Sequence, residues 1–124
     1  MNQKSESCIN LEQLHQISEG DIEFEIEILQ VYVEDVSQRL EKVREAIDGN
    51  EWSIIMAEAH HIKGSSGNVG AFQVESLSVQ LEKLNHLQDA EAALKIINDM
   101  FTNIKAVELF NAEKLAILSS QKVI

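Results

Sequence analysis

Apolar residues return every three or four positions along most of the chain, the spacing that lays one stripe along the face of a helix. The longest run is Ile22, Ile26, Leu29, Val33, Val36, Leu40, Val43 and Ile47, in alternating steps of four and three. Such a seam packs against neighbours at a shallow angle, as in a four-helix bundle. A second stripe, from Trp52 to Val69, carries Ile55, Ala59 and Ile62, and a third, from about Phe72 to His86, carries Val74, Leu77, Leu81 and Leu84. A fourth starts near Asp89 with Leu94, Ile97, Phe101, Ile104 and Val107, in a helix expected to reach Leu118 before fraying. A shorter piece with Leu11, Leu14 and Ile17 precedes them all.

The residues between the stripes are helix punctuation. Asn10, with Gln13 three residues on, predicts a capped start to the first helix, and Asp21 a cap for the second, whose early Glu23 and Glu25 suit the positive end of the helix dipole. Gly49 predicts the end of the second helix, Asn50 the cap of the third and Gly70 the break after it. The connections are short, which favours antiparallel neighbours. The expected fold is therefore all-α, an antiparallel four-helix bundle with an additional short N-terminal helix over one end. Residues 1–9 are expected to be a flexible N-terminus, 10–118 the bundle and 119–124 a C-terminal tail.

Composition narrows the chemistry. At 124 residues the chain suits one core, and it has no Gly-rich phosphate loop of the Rossmann or P-loop type, so nothing in it reads as a nucleotide-binding kinase domain. A formal charge of −11 excludes nucleic acid and an anionic membrane as expected partners. No run of apolar residues approaches the span of a bilayer, and a cytoplasmic location is expected. The lone Cys8 excludes an internal disulfide and a multi-cysteine metal site. The charge is also uneven: nine carboxylates and no Lys or Arg lie between Ser5 and Gln38, and Lys63 is the only Lys or Arg between Glu45 and Glu82.

That lysine stands in the most informative stretch, His60-His61-Ile62-Lys63-Gly64-Ser65-Ser66-Gly67-Asn68-Val69-Gly70-Ala71. At about 100° per residue, with Ile62 inward, His60 points outward with Lys63, Gly64 and Gly67 as its helical neighbours. Each interior glycine costs about 1 kcal/mol relative to alanine. Two of them beside one histidine predict a bare platform where an imidazole and an ammonium meet an incoming group.

The run His60-x-Ile62-Lys63-Gly64-Ser65-Ser66, then Val69-Gly70-Ala71, resembles the signature of histidine-containing phosphotransfer (HPt) domains, His-x-Leu-Lys-Gly-Ser followed by a hydrophobe, Gly and Ala. Gly20-Asp21-x-Glu23-Phe24, Val33-Glu34-Asp35 and Gly49-Asn50-x-Trp52 are similar to that family too, so the resemblance covers roughly residues 11 to 87. It implies a phosphorelay intermediate without autokinase activity. His60 would accept a phosphoryl group from an aspartyl phosphate of a response-regulator receiver domain, among them those of hybrid histidine kinases, and pass it to another receiver. Lys63 would balance the phosphoryl charge and Gly64 and Gly67 would give access. The resemblance places Leu14, Ile17 and Phe24 near the histidine as partner-binding residues. It implies no cofactor on this chain, the divalent metal belonging to the receiver.

Position 22 residues after the reactive histidine commonly holds a hydrogen-bonding Gln in that family; here it is Glu82, the expected orienter of His60. Helical geometry alone leaves Gln80, on the other flank, equally placed. His61 is the rival nucleophile, on a flank expected to face a neighbouring helix. Two readings of other classes stand beside this one. The bundle could be an adaptor that carries no phosphate, or Glu12-x-x-His15 and Glu58-x-x-His61 could be the metal-holding pairs of a ferritin-like core.

Overall fold

The structure, a computed structural model, describes residues 8–122. Five helices follow in order: α1 (Leu11–Ser18), α2 (Ile22–Asp48), α3 (Trp52–Val69), α4 (Phe72–Lys83) and α5 (Ala90–Lys122). Around the bundle α2 packs on α3, α3 on α4, α4 on α5 and α5 back on α2. With turns this short, consecutive helices run antiparallel. The short α1 leans on α2 and α3 at one end.

The seam of α2 is buried at Ile26, Leu29, Val36, Leu40, Val43 and Ile47, against Ile55, Ala59 and Ile62 of α3, Val74 and Leu81 of α4, and Ile97, Met100, Ile104 and Val107 of α5. A seam in steps of four and three is what a near-parallel neighbour covers over its whole length. Two ends of the stripes depart from expectation: Ile22, in the first turn of α2, and Leu94 of α5 are exposed. On α5 the inward register runs through Ala93, Ile97, Met100 and Ile104, because small Ala93 fits where the helix enters the bundle and Leu94 falls one residue off that face.

The caps divide in the same way. Asn10 Oδ1 accepts from Gln13 N at 2.9 Å, Asp21 Oδ1 from Phe24 N at 3.1 Å and Asp89 Oδ1 from Ala92 N at 3.0 Å. Asn50 does not cap α3. It takes the left-handed backbone at φ 55 that a helix-ending glycine often supplies, and its side chain accepts from Trp52 Nε1 at 2.9 Å.

The described residues near both ends depart from the expected boundaries. Ile9, expected in a flexible N-terminus over 1–9, is buried in the core; residues 1–7 of that expected segment lie outside the described ones. Helix α5 continues past Leu118 to Lys122, taking in most of the expected tail, and residues 123–124 are outside the described ones.

Candidate functional site

Helix α3 presents its polar face between α2 and α4. The His60 side chain is 75% exposed, and its Nδ1 lies 3.2 Å from Glu82 Oε2 on α4. The other oxygen of the same carboxylate, Oε1, is 3.0 Å from Lys63 Nζ. A carboxylate only accepts, so Nδ1–H is the donor and the lone pair of the neutral ring is left on Nε2. A tautomer and a ring direction are fixed by one hydrogen bond, as in metal-ligating and catalytic histidines. Of the two flanks of α4, it is Glu82 that reaches the ring. Gln80 lines the opposite groove, with Gln73, Asp99 and Asn103.

The two glycines differ. A Cβ built on Gly64 would meet nothing within 4 Å, so the backbone there is open to an incoming surface. At Gly67 a Cβ would lie 2.7 Å from Glu75 Oε2 of α4. Gly67 therefore makes room for a side chain of this molecule, which corrects the expectation that it gives access to the histidine. Ser66 belongs to the interior, its Oγ 2.6 Å from Tyr32 OH. The tyrosine is buried, which pushes its hydroxyl ionisation far up and keeps it neutral.

His61 turns toward α2, where its Nε2 is 3.7 Å from Asp35 Oδ2. Asp35 also accepts from Arg39 Nε at 3.0 Å, and Arg39 reaches Glu58 Oε1 at 2.8 Å with Lys42 3.3 Å from Oε2. Burial raises the Glu58 carboxyl, but the bonds from Arg39 and Lys42 outweigh it and hold the group below the usual glutamate range. Glu58 is thus engaged by cations of α2, and His15 of the other Glu-x-x-His pair by Glu25. Among the described residues no three His, Cys, Asp or Glu side chains come together as a metal cluster, and no helix is long and apolar enough to cross a membrane.

Of the expected partner-binding residues, Phe24 is exposed, Ile17 is half-buried against the core and Leu14 is fully buried. Leu14 is therefore core and not docking surface. With Asn10 capping α1, Leu14 turns inward, and Leu11 one turn earlier is the exposed large apolar residue of that helix. Val31, two turns along α2 from Phe24 and one before Asp35, is also exposed, and Ile28 between them is half-buried. Phe24, Ile28, Val31 and Asp35 share one face of α2 by their spacing. The sequence signal for Val31 was its position off the steps of four and three that define the inward seam, between Leu29 and Val33.

The least legible feature is Glu25. Its side chain is fully buried, with Oε2 2.5 Å from His15 Nδ1 and 2.7 Å from Ser18 Oγ, and Oε1 2.5 Å from Lys114 Nζ. A carboxylate in the first turn of a helix reads as a dipole partner, and nothing local announces a lysine 89 residues on.

Known proteins resemble this chain along most of its length. A family model described as "Hpt domain" matches residues 27–107. Histidine-containing phosphotransfer protein 2 of Arabidopsis thaliana is 27% identical over 104 residues, covering 77% of this chain and 67% of that protein. The phosphorelay intermediate protein rdeA of Dictyostelium discoideum is 30% identical over 82 residues, 64% of this chain and 32% of rdeA. Among solved structures, the histidine-containing phosphotransfer protein B (HptB) of Pseudomonas aeruginosa shares the fold with a TM-score of 0.78 at 20% identity, over 86% of this chain and 93% of that one. The chain spans about two thirds of the Arabidopsis relative and about a third of rdeA.

Proposed function

The chain belongs to the Hpt domain family, a histidine-containing phosphorelay intermediate, and we propose that His60 is the residue that carries its phosphoryl group. The observation that carries this reading is the ring itself: 75% exposed, beside the open backbone of Gly64, with Nδ1 engaged by Glu82 and Nε2 free. In the transfer step the Nε2 lone pair attacks the phosphorus of a receiver's aspartyl phosphate. An acyl phosphate is already activated, so what the protein must supply is alignment and charge balance. Lys63, on the same helix face, balances the phosphoryl charge once it turns from Glu82.

The partners are response-regulator receiver domains, including in this reading those of hybrid histidine kinases. In this reading the divalent metal of the reaction sits on the receiver. The docking surface joins the Gly64 opening to Leu11, Phe24 and Val31, with Ile17 at its edge, an apolar area around a polar centre as transient interfaces require. The cytoplasm is the compartment where such receivers would be met.

The test is to mix the protein with a phosphorylated receiver domain and look for acid-labile phosphate. Label on His60 in the parent and in His61→Gln, with none in His60→Gln, is the expected result. Label that persists in His60→Gln would overturn the assignment.

A further inference from the structure

Given the assignment of the phosphoryl group to His60, on which this inference rests, the accepting step forms the N–P bond at Nε2. The bond from phosphorus to the aspartyl oxygen breaks, and its electron pair leaves on the receiver's carboxylate. The imidazole has then given up its lone pair and still holds the Nδ1 proton, so the ring is a cation. In the donating step an aspartyl carboxylate oxygen of the next receiver forms a bond to phosphorus as the N–P bond breaks, the pair returns to Nε2 and the leaving group is neutral imidazole. If the Nδ1 proton is lost in between, the leaving group becomes imidazolate, a strong base that leaves poorly. The phosphorylated protein is a good donor only while Nδ1 stays protonated.

The group facing Nδ1 is an anion. We propose that Glu82 holds the proton on Nδ1 of phosphorylated His60 through an ionic hydrogen bond, so that the protein remains a donor at higher pH than a neutral acceptor in that place would allow. The other charged group at the ring is Lys63 of the same helix, 3.0 Å from Glu82 Oε1. From α2, Asp35 faces His61, and from α4, Glu75 faces Gly67. In the unphosphorylated protein Lys63 shares the carboxylate with the ring. A phosphoryl group on Nε2 is a second anion within the cluster, and as Lys63 turns to it, more of the Glu82 charge acts on the ring. The ring is largely in water, so screening limits the effect to about one pH unit in the titration of the phosphorylated imidazole, rather than the several units of a buried pair.

Phosphoramidate phosphorylates imidazole directly, so the full chain can be loaded without a receiver. The titration of the phosphorylated ring is then followed by 15N and 31P NMR in the parent and in Glu82→Gln, whose amide oxygen can accept the same bond without charge. The expected midpoint in Glu82→Gln is about one pH unit lower, with unchanged melting, and donation to a receiver domain declines at a correspondingly lower pH. Lys63→Gln should move the midpoint the opposite way, because it removes a cation from beside the ring whether the ammonium pairs with Glu82 or with the phosphoryl group. Coincident midpoints in parent and Glu82→Gln, or a shift in the same direction in both variants, would overturn the proposal. Midpoints that separate while no receiver removes the phosphoryl group would uphold the ring effect and sink the relay assignment instead.

Discussion

Glu25 and Glu82 each stand between the Nδ1 of a histidine and the ammonium of a lysine, one where α1, α2 and α5 meet and the other between α3 and α4. Around Glu25 both distances are 2.5 Å and Ser18 adds a third bond; around Glu82 they are 3.2 and 3.0 Å. The Glu25 side chain has no exposure and that of Lys114 only 16%, whereas His60 is mostly in solvent. Burial drives the Glu25 carboxyl upward, and the bonds from Lys114, Ser18 and His15 together outweigh it, holding the group below the usual glutamate range. The same three residue types therefore act as a fastener in one place and as exchangeable partners in the other. Solvent decides which, since a charge left unpaired costs several kcal/mol inside and little outside.

The sharpest way to break this contrast is at the histidines. His60→Gln should lose phosphoryl acceptance entirely and melt like the parent, while His15→Gln should keep transfer, as read by label uptake and thermal denaturation on the same samples. The next largest effect is expected from Glu25→Gln, which leaves the Lys114 ammonium without its anion. Urea titration should show a loss of about 3 kcal/mol, with transfer by the folded fraction intact.

Acid should close that gap. A carboxyl depressed in the folded state contributes stability above its ordinary value of 4.5, and the contribution disappears as pH falls through the folded value. The parent and Glu25→Gln should therefore converge in urea midpoint toward low pH. A constant difference down to strong acid would show that Glu25 acts by shape and not by charge.

Gly64 tests the open side of the comparison. Gly64→Gln should slow transfer without lowering the melting temperature, and Gly64→Ala, with empty space for its Cβ, should gain up to about 1 kcal/mol. The smallest effect belongs to the stability of His15→Gln. His15 is half in solvent, so loss of its bond to Glu25 should cost about 1 kcal/mol.

The bundle was legible because each helix repeats its apolar residues at one period, and the seam of α2 alone implies near-parallel neighbours. Asn10, Asp21 and Gly70 mark ends that the backbone needs. Leu94 was misassigned because a stripe in sequence is wider than the buried face, and one residue of slip moves a leucine from core to solvent. Leu14 lies inward as its stripe implies, and only the resemblance had set it at the docking surface. The register of His60, Lys63 and Gly64 could be read from the helical angle, and the choice of Glu82 over Gln80 needed the resemblance as well. Glu25 and Lys114 could not be paired by any local rule, since each alone reads as an ordinary charged helix residue.

The turn at Gly70 and Ala71 makes α3 and α4 a hairpin, and it places His60 and Glu82 only 22 residues apart, against 89 for Glu25 and Lys114. Chain entropy separates the two closures: the longer loop costs about 1.2 kcal/mol more to close, taking the cost as (3/2)RT ln n. The proposed phosphoryl site is thus contained in one supersecondary unit. Fluctuations that lift α1 or fray the end of α5 open the Glu25 fastener and leave the spacing of His60, Lys63 and Glu82 as it was. Amide exchange should register the difference, with protection along α3 and α4 outlasting that of α1 and the last turns of α5.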